Sequence, residues 1–145
     1  MKTALITGAT NGIGLYTAKK IAEENFITII HGRSQALLDK VTDEIITETG
    51  NDNVISIQAD FSNLTEVKEM ADEITNRYSS LDLLINNAGA TFTERTEGMD
   101  GNELTLTINY LAPFLLTNSL LALLRNGGND NAHSKIINVS TLGNS

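Results

Sequence analysis

Residues 3–14 read Thr3-Ala4-Leu5-Ile6-Thr7-Gly8-Ala9-Thr10-Asn11-Gly12-Ile13-Gly14. An apolar run stops at Gly8, and glycines recur at Gly12 and Gly14 as a helical pattern begins. That order describes a buried strand turning tightly into a helix, with side chains removed where a phosphate would sit. Gly8 permits the sharp turn, Gly12 lets the backbone approach a ligand, and Gly14 lets the helix pack closely on the strand. The first turn of the helix offers N–H groups and the positive end of its dipole to an anion. The spacing Gly-x-x-x-Gly-x-Gly differs from the common dinucleotide fingerprint, and it lacks the Lys-Ser/Thr ending of a P-loop, which argues against an ATPase.

Outward from this turn the chain alternates. Strands are expected over residues 3–7, 26–31, 54–59, 81–86 and 135–140, and helices over 12–25, 34–49, 63–78 and 100–125. The strands are apolar runs such as Ile27, Ile29 and Ile30, then Leu83, Leu84 and Ile85, then Ile136, Ile137 and Val139. Such runs suit a parallel sheet covered on both faces. The alternation implies an α/β fold, a Rossmann-type doubly wound parallel sheet of five strands in the order 3-2-1-4-5. Ser34 is positioned to cap the second helix. Asn63 or Ser62 caps the third, with Glu66 in capping-box position after Asn63. Asp100 with Glu103 forms a similar box for the fourth helix, with Met99 as a hydrophobic staple. Gly50 and Gly127-Gly128 follow helix ends. Pro113, the only proline, lies inside the fourth helical pattern and predicts a kink, or a short helix running into a longer one.

The 145 residues suffice for one domain with a real core, spanning residues 1–145. The absence of cysteine removes disulfides, thiol catalysis and cysteine-based metal sites, and it fits a reducing compartment. His31 and His133 are isolated, so no metal site is expected. The net charge of −8 disfavours a nucleic-acid surface. No signal peptide is legible at the N-terminus and no stretch is long and apolar enough to span a bilayer, so a cytoplasmic location is expected.

The second strand ends in His31-Gly32-Arg33-Ser34. A dinucleotide fold that takes the unphosphorylated cofactor places an acid about 20 residues after the glycine turn, on the ribose 2′-OH. Arg33 stands there instead, and its forked, charged guanidinium suits a 2′-phosphate. NADP(H) is therefore expected over NAD(H).

Four more segments complete a pattern that resembles the short-chain dehydrogenase/reductase family. Residues 7–14 match that family's glycine motif. Asp60-Phe61-Ser62 stands where the family keeps an Asp against the adenine ring. Asn86-Asn87-Ala88-Gly89 matches its Asn-Asn-Ala-Gly motif after the fourth strand. Asn109 falls at the family's catalytic Asn in the long helix, and Ile136-Ile137-Asn138-Val139-Ser140-Thr141 matches the fifth strand that ends in the catalytic hydroxyl. Singly, each is equally a cap, a turn or a bridging polar residue; together, in order, they argue jointly. The segment from Asp100 to Leu124 is most similar to the retinol-dehydrogenase-like branch.

The resemblance implies hydride transfer between a nicotinamide ring and a carbonyl or alcohol carbon of a small molecule. It implies a cofactor site of Gly8, Thr10, Asn11, Gly12, Ile13, Gly14, Arg33, Ser34, Asp60, Phe61, Asn87, Ala88 and Gly89. Asn109 and Thr141 (or Ser140, one register earlier) would be catalytic. In the family a Tyr moves the proton, and a Lys one helical turn later lowers its pKa. That Tyr-x-x-x-Lys should follow Thr141, and the sequence ends at Ser145 without it. Tyr16 and Lys20 have the spacing but lie in the first helix, beside the turn, and cannot replace it. The chain thus reads as the N-terminal, cofactor-binding part of such an oxidoreductase, without the family's C-terminal strands and helices. The alternative is a dinucleotide-binding fragment or pseudoenzyme without turnover. Leu115, Leu116, Leu120, Leu121, Leu123 and Leu124 read as core or as a subunit interface, which leaves open a homodimer through the fourth helix.

Overall fold

The computed structural model describes residues 1–89, 103–129 and 131–139. Five strands, β1 (Thr3–Ile6), β2 (Ile27–Gly32), β3 (Val54–Gln58), β4 (Leu83–Asn86) and β5 (Lys135–Asn138), form one parallel sheet in the order β3-β2-β1-β4-β5. Between them lie α1 (Gly12–Glu23), α2 (Gln35–Thr49) and α3 (Leu64–Arg77), then α4 (Leu104–Leu106), a π-helical turn (Thr107–Leu111), α5 (Ala112–Ser119) and α6 (Leu121–Asn126). The expected architecture and strand order are those observed.

The apolar runs work because successive strand residues face opposite layers. Leu5, Ile29, Ile57 and Leu84 point one way, into a core completed by Val67, Met70 and Ile74 of α3 and by Ala112 and Leu116 of α5. Ala4, Ile6, Ile30 and Ile85 point the other way, against Ala18 and Ala22 of α1 and Leu38, Val41 and Ile45 of α2. Each large aliphatic side chain buried in this way contributes about 1.5–3 kcal/mol relative to exposure. β5 departs from the doubly covered pattern. It pairs with β4, but Ile136 and Ile137 are exposed among the described residues.

Local signals set most boundaries. The Ser34 hydroxyl accepts from the Leu37 amide, the Asn63 carboxamide accepts from the Thr65 amide, and Gly50 closes α2 in the left-handed region at φ 73°. Glu66 does not complete a box with the Asn63 backbone. Its Oε1 accepts from the Asp60 amide at 3.0 Å, which ties the β3–α3 loop instead. The long helix expected over 100–125 is broken. Pro113 has no N–H and its ring would press on the carbonyl four residues back, so the wider π turn precedes it and α5 begins around it. A second break falls at Leu120. Met99 and Asp100 lie outside the described residues.

Parallel strands bring the C-terminal ends of β1, β2, β3 and β4 to one edge. The chain crosses from β3 to β4 on the far side of β1, so a crevice opens there between the two halves of the sheet.

Candidate functional site

The β1–α1 turn is clamped from both sides. Gly8 adopts φ +63°, a conformation that disfavours side chains, and a Cβ there would stand 2.7 Å from the Ala88 Cα. Its carbonyl accepts from Asn87 Nδ2 at 3.0 Å, and its N–H donates to His31 Nδ1 at 3.0 Å. Gly14 brings α1 against the turn so closely that a Cβ would overlap the Gly8 carbonyl oxygen. At Gly12, φ +56°, a Cβ would meet nothing within 4 Å. Asn11 precedes the helix in extended conformation, and its side chain makes no capping bond. At Gly12 the start of α1 thus faces open space, with no side-chain acceptor drawn from its own cap.

Thr7 fixes the facing loop. Its Oγ1 accepts from the amides of both Asn87 and Ala88, each at 2.9 Å. The glycine turn and the Asn86–Gly89 segment are therefore one hydrogen-bonded unit. Beyond it, a Cβ on Gly89 would stand 3.0 Å from Asn109 Oδ1, so the Asn109 carboxamide lies beside this loop.

Below the turn, Asn86 Nδ2 donates to Thr117 Oγ1 at 3.1 Å and to Asn138 Oδ1 at 2.9 Å. These bonds tie β4, α5 and β5 together. Ser140 and Thr141 themselves lie outside the described residues.

Two clefts flank the loop and share Ala88. The first, about 460 Å³, is lined by residues that include Thr10, Asn11, Ile13, Arg33, Asp60 and Asn87. The second, about 630 Å³, is lined by Asn86, Asn109, Tyr110, Phe114 and Asn138 among others. Arg33 is exposed at the mouth of the first. Asp60 lines it too, and its Oδ1 accepts from the Ser62 amide and hydroxyl, which fixes the carboxylate in a local turn. Phe61 reaches the cleft but is almost wholly buried. The Ser34 hydroxyl is engaged at the start of α2.

Sequence reasoning missed two members of this site. Thr7 was visible only as one hydroxyl at the end of an apolar strand. His31 is 3% exposed, and its ring stacks on Phe61 with centroids 4.1 Å apart. Nδ1 accepts from the Gly8 amide, so Nε2 carries the proton and donates to the Ala59 carbonyl at 2.9 Å. Burial lowers the His31 pKa from 6.5 to about 4, against weaker opposing effects of the Ala59 carbonyl and the Asp60 charge. The signal available was its place two residues after Ile29, on a buried face, where a polar ring needs partners.

A cleft at the carboxyl edge of a parallel sheet, with a glycine turn leading into a helix, is the geometry of a dinucleotide-binding α/β protein. The family model for short chain dehydrogenase matches residues 2–144, and the chain belongs to that family. It is 34% identical over 140 residues to polyprenol dehydrogenase of Homo sapiens, covering 97% of this chain and 42% of that protein. It is 35% identical over 141 residues to retinol dehydrogenase 11 of Homo sapiens, covering 97% of this chain and 43% of that protein. The chain spans less than half the length of these curated relatives. Its fold superposes on the RhlG/NADP active-site complex of Pseudomonas aeruginosa with a TM-score of 0.81 and 25% identity, covering 98% of this chain and 57% of that one. Among the described residues no helix is long and apolar enough to cross a membrane.

Proposed function

We propose that this chain holds NADP(H), in preference to NAD(H), for an oxidoreductase that moves a hydride between the nicotinamide and a carbonyl or alcohol carbon of a small molecule. The observation that carries the reading is one cleft lined both by Thr10, Asn11 and Ile13, where the glycine turn enters α1, and by Arg33. The residues fit the group: among the described residues the only carboxylate lining that cleft, Asp60, is engaged by Ser62, whereas Arg33 offers a charged fork to a 2′-phosphate. Amides of the glycine turn and the start of α1 would hold the pyrophosphate. Thr10, Asn11 and Ile13 would flank it, with Asn87, Ala88 and Gly89 opposite.

The bound cofactor would supply or accept the hydride, while the protein supplies orientation and a proton. Asn109, beside Gly89 and lining the second cleft, would orient a polar group or water there. Thr141 or Ser140 would orient the carbonyl. An NADP complex among similar solved structures supports the phosphorylated cofactor. A homodimer through the helical segment expected over 100–125 is part of this reading, supported by the exposure of Tyr110 in the π turn and Phe114 in α5, each 60%. A cytoplasmic location is supported by a chain without cysteine.

The test is a titration with NADPH and NADH, read by nucleotide fluorescence in a protein that has no tryptophan to interfere. NADPH is expected to bind at least about tenfold more tightly, the worth of one charge-assisted contact. Equal or reversed affinities overturn the cofactor preference.

A further inference from the structure

We propose that His31 is a positioning residue for the pyrophosphate of the dinucleotide, holding the amides that open the glycine turn in the path the ligand requires. The inference rests on the cofactor reading above. His31 takes two successive amides of the turn: its Nδ1 accepts from Gly8 at 3.0 Å and its carbonyl accepts from Ala9 at 2.8 Å. The ring cannot rotate away. Its Nε2–H is engaged by the Ala59 carbonyl at the end of β3, and its face is stacked on buried Phe61. Gly8 is held from the opposite side by Asn87 Nδ2 and backs onto Ala88.

The start of the turn therefore hangs between two anchors, one on β2 and one on the loop after β4. The backbone from Ala9 to Gly12 then runs to the start of α1 with no side-chain cap from Asn11 to fix it. Its course, and the direction of its amides, depends on where Gly8 and Ala9 are pinned. The bonds of His31 thus end on the ligand cradle, and a group acting through that cradle should affect only ligands that reach it. Burial, which favours the neutral ring, keeps Nδ1 an acceptor at ordinary pH.

The experiment compares the wild type with His31→Phe, which keeps a ring on Phe61 but removes both nitrogens, and with His31→Gln, which restores an acceptor and a donor without the ring. Dissociation constants are measured for NADPH by fluorescence, and by competition for 2′-phospho-ADP-ribose and adenosine 2′-monophosphate. The last two share the adenine and the 2′-phosphate, but only the first carries a pyrophosphate.

In His31→Phe, NADPH and 2′-phospho-ADP-ribose are expected to weaken about tenfold or more, as for the loss of a buried hydrogen bond. Adenosine 2′-monophosphate is expected to stay within about twofold of the wild type, since it does not reach the turn. His31→Gln should show the same selectivity at intermediate size. If circular dichroism shows His31→Phe unfolded, His31→Gln decides alone by that selectivity. Equal weakening of all three ligands, or none, in the deciding variant overturns the inference while the cofactor reading stands. A wild type that binds none of the three overturns both.

Discussion

Replacing Gly14 by alanine tests how the turn and the first helix are joined. A Cβ at this position would overlap the Gly8 carbonyl oxygen and stand 2.5 Å from Asn87 Nδ2. That nitrogen donates to the same carbonyl, so the collision falls on a hydrogen-bonded pair with nowhere to move. Overpacking against fixed atoms costs about 3 kcal/mol at the upper end of its usual range. Alanine in place of a helical glycine returns about 1 kcal/mol, leaving a net loss of about 2 kcal/mol. With a urea dependence of about 2 kcal/mol per molar, the unfolding midpoint should fall by about 1 M. NADPH affinity should fall as well, because α1 can relieve the overlap only by retreating from the cradle. Gly50→Ala is the control: φ +73° with nothing within 4 Å makes it a cost of backbone conformation alone, away from the cleft. It should lose about 1–2 kcal/mol with NADPH binding unchanged. Urea unfolding by far-ultraviolet circular dichroism reads both. Gly14→Ala with wild-type stability and wild-type affinity would refute the reasoning.

Three other outcomes are expected. His31 stays neutral in the folded chain down to about pH 4, whereas in the unfolded chain it takes up a proton below its ordinary 6.5. Its contribution is therefore complete above that value and lost as pH falls through the window, about 3 kcal/mol in all. Urea unfolding across the window should show this slope in the wild type and not in His31→Phe; equal slopes contradict it. Asn51→Ala removes donors to the Ala22 and Phe26 carbonyls and an acceptor for the Asn53 amide. It should cost about 3 kcal/mol of stability and leave NADPH affinity alone, and an affinity loss larger than about threefold would show that this corner reaches the site. Arg33→Asp should reverse the nucleotide preference by removing the cation and offering an acceptor to a ribose 2′-OH; an unchanged ratio of NADPH to NADH affinity places the selectivity elsewhere.

Much of the fold was legible because its signals are local. The run Thr3–Ile6 and the glycines after it fix the first strand, turn and helix together, and Ser34, Asn63 and Gly50 mark ends by their own hydrogen bonds or backbone angles. What was not legible depends on long-range partners. Glu66 reaches back to the Asp60 amide because the β3–α3 loop curls over it, a closure no capping rule encodes. Pro113 announces a disturbance, but the π turn before it is one of several ways to absorb a missing N–H. In the site, glycines and Arg33 declare themselves by type. Thr7 and His31 do not, nor does Asn51 outside the site, since a buried polar group is intelligible only once its partners, distant in sequence, are beside it.

The most direct test of the account follows backbone amide resonances of the ¹⁵N-labelled chain as NADPH is added. The account predicts that the perturbed amides gather at Gly8–Gly14, Arg33–Ser34, Asp60–Phe61 and Asn87–Gly89, the two walls of one cleft. Perturbations centred elsewhere, or none at saturating NADPH, would contradict it.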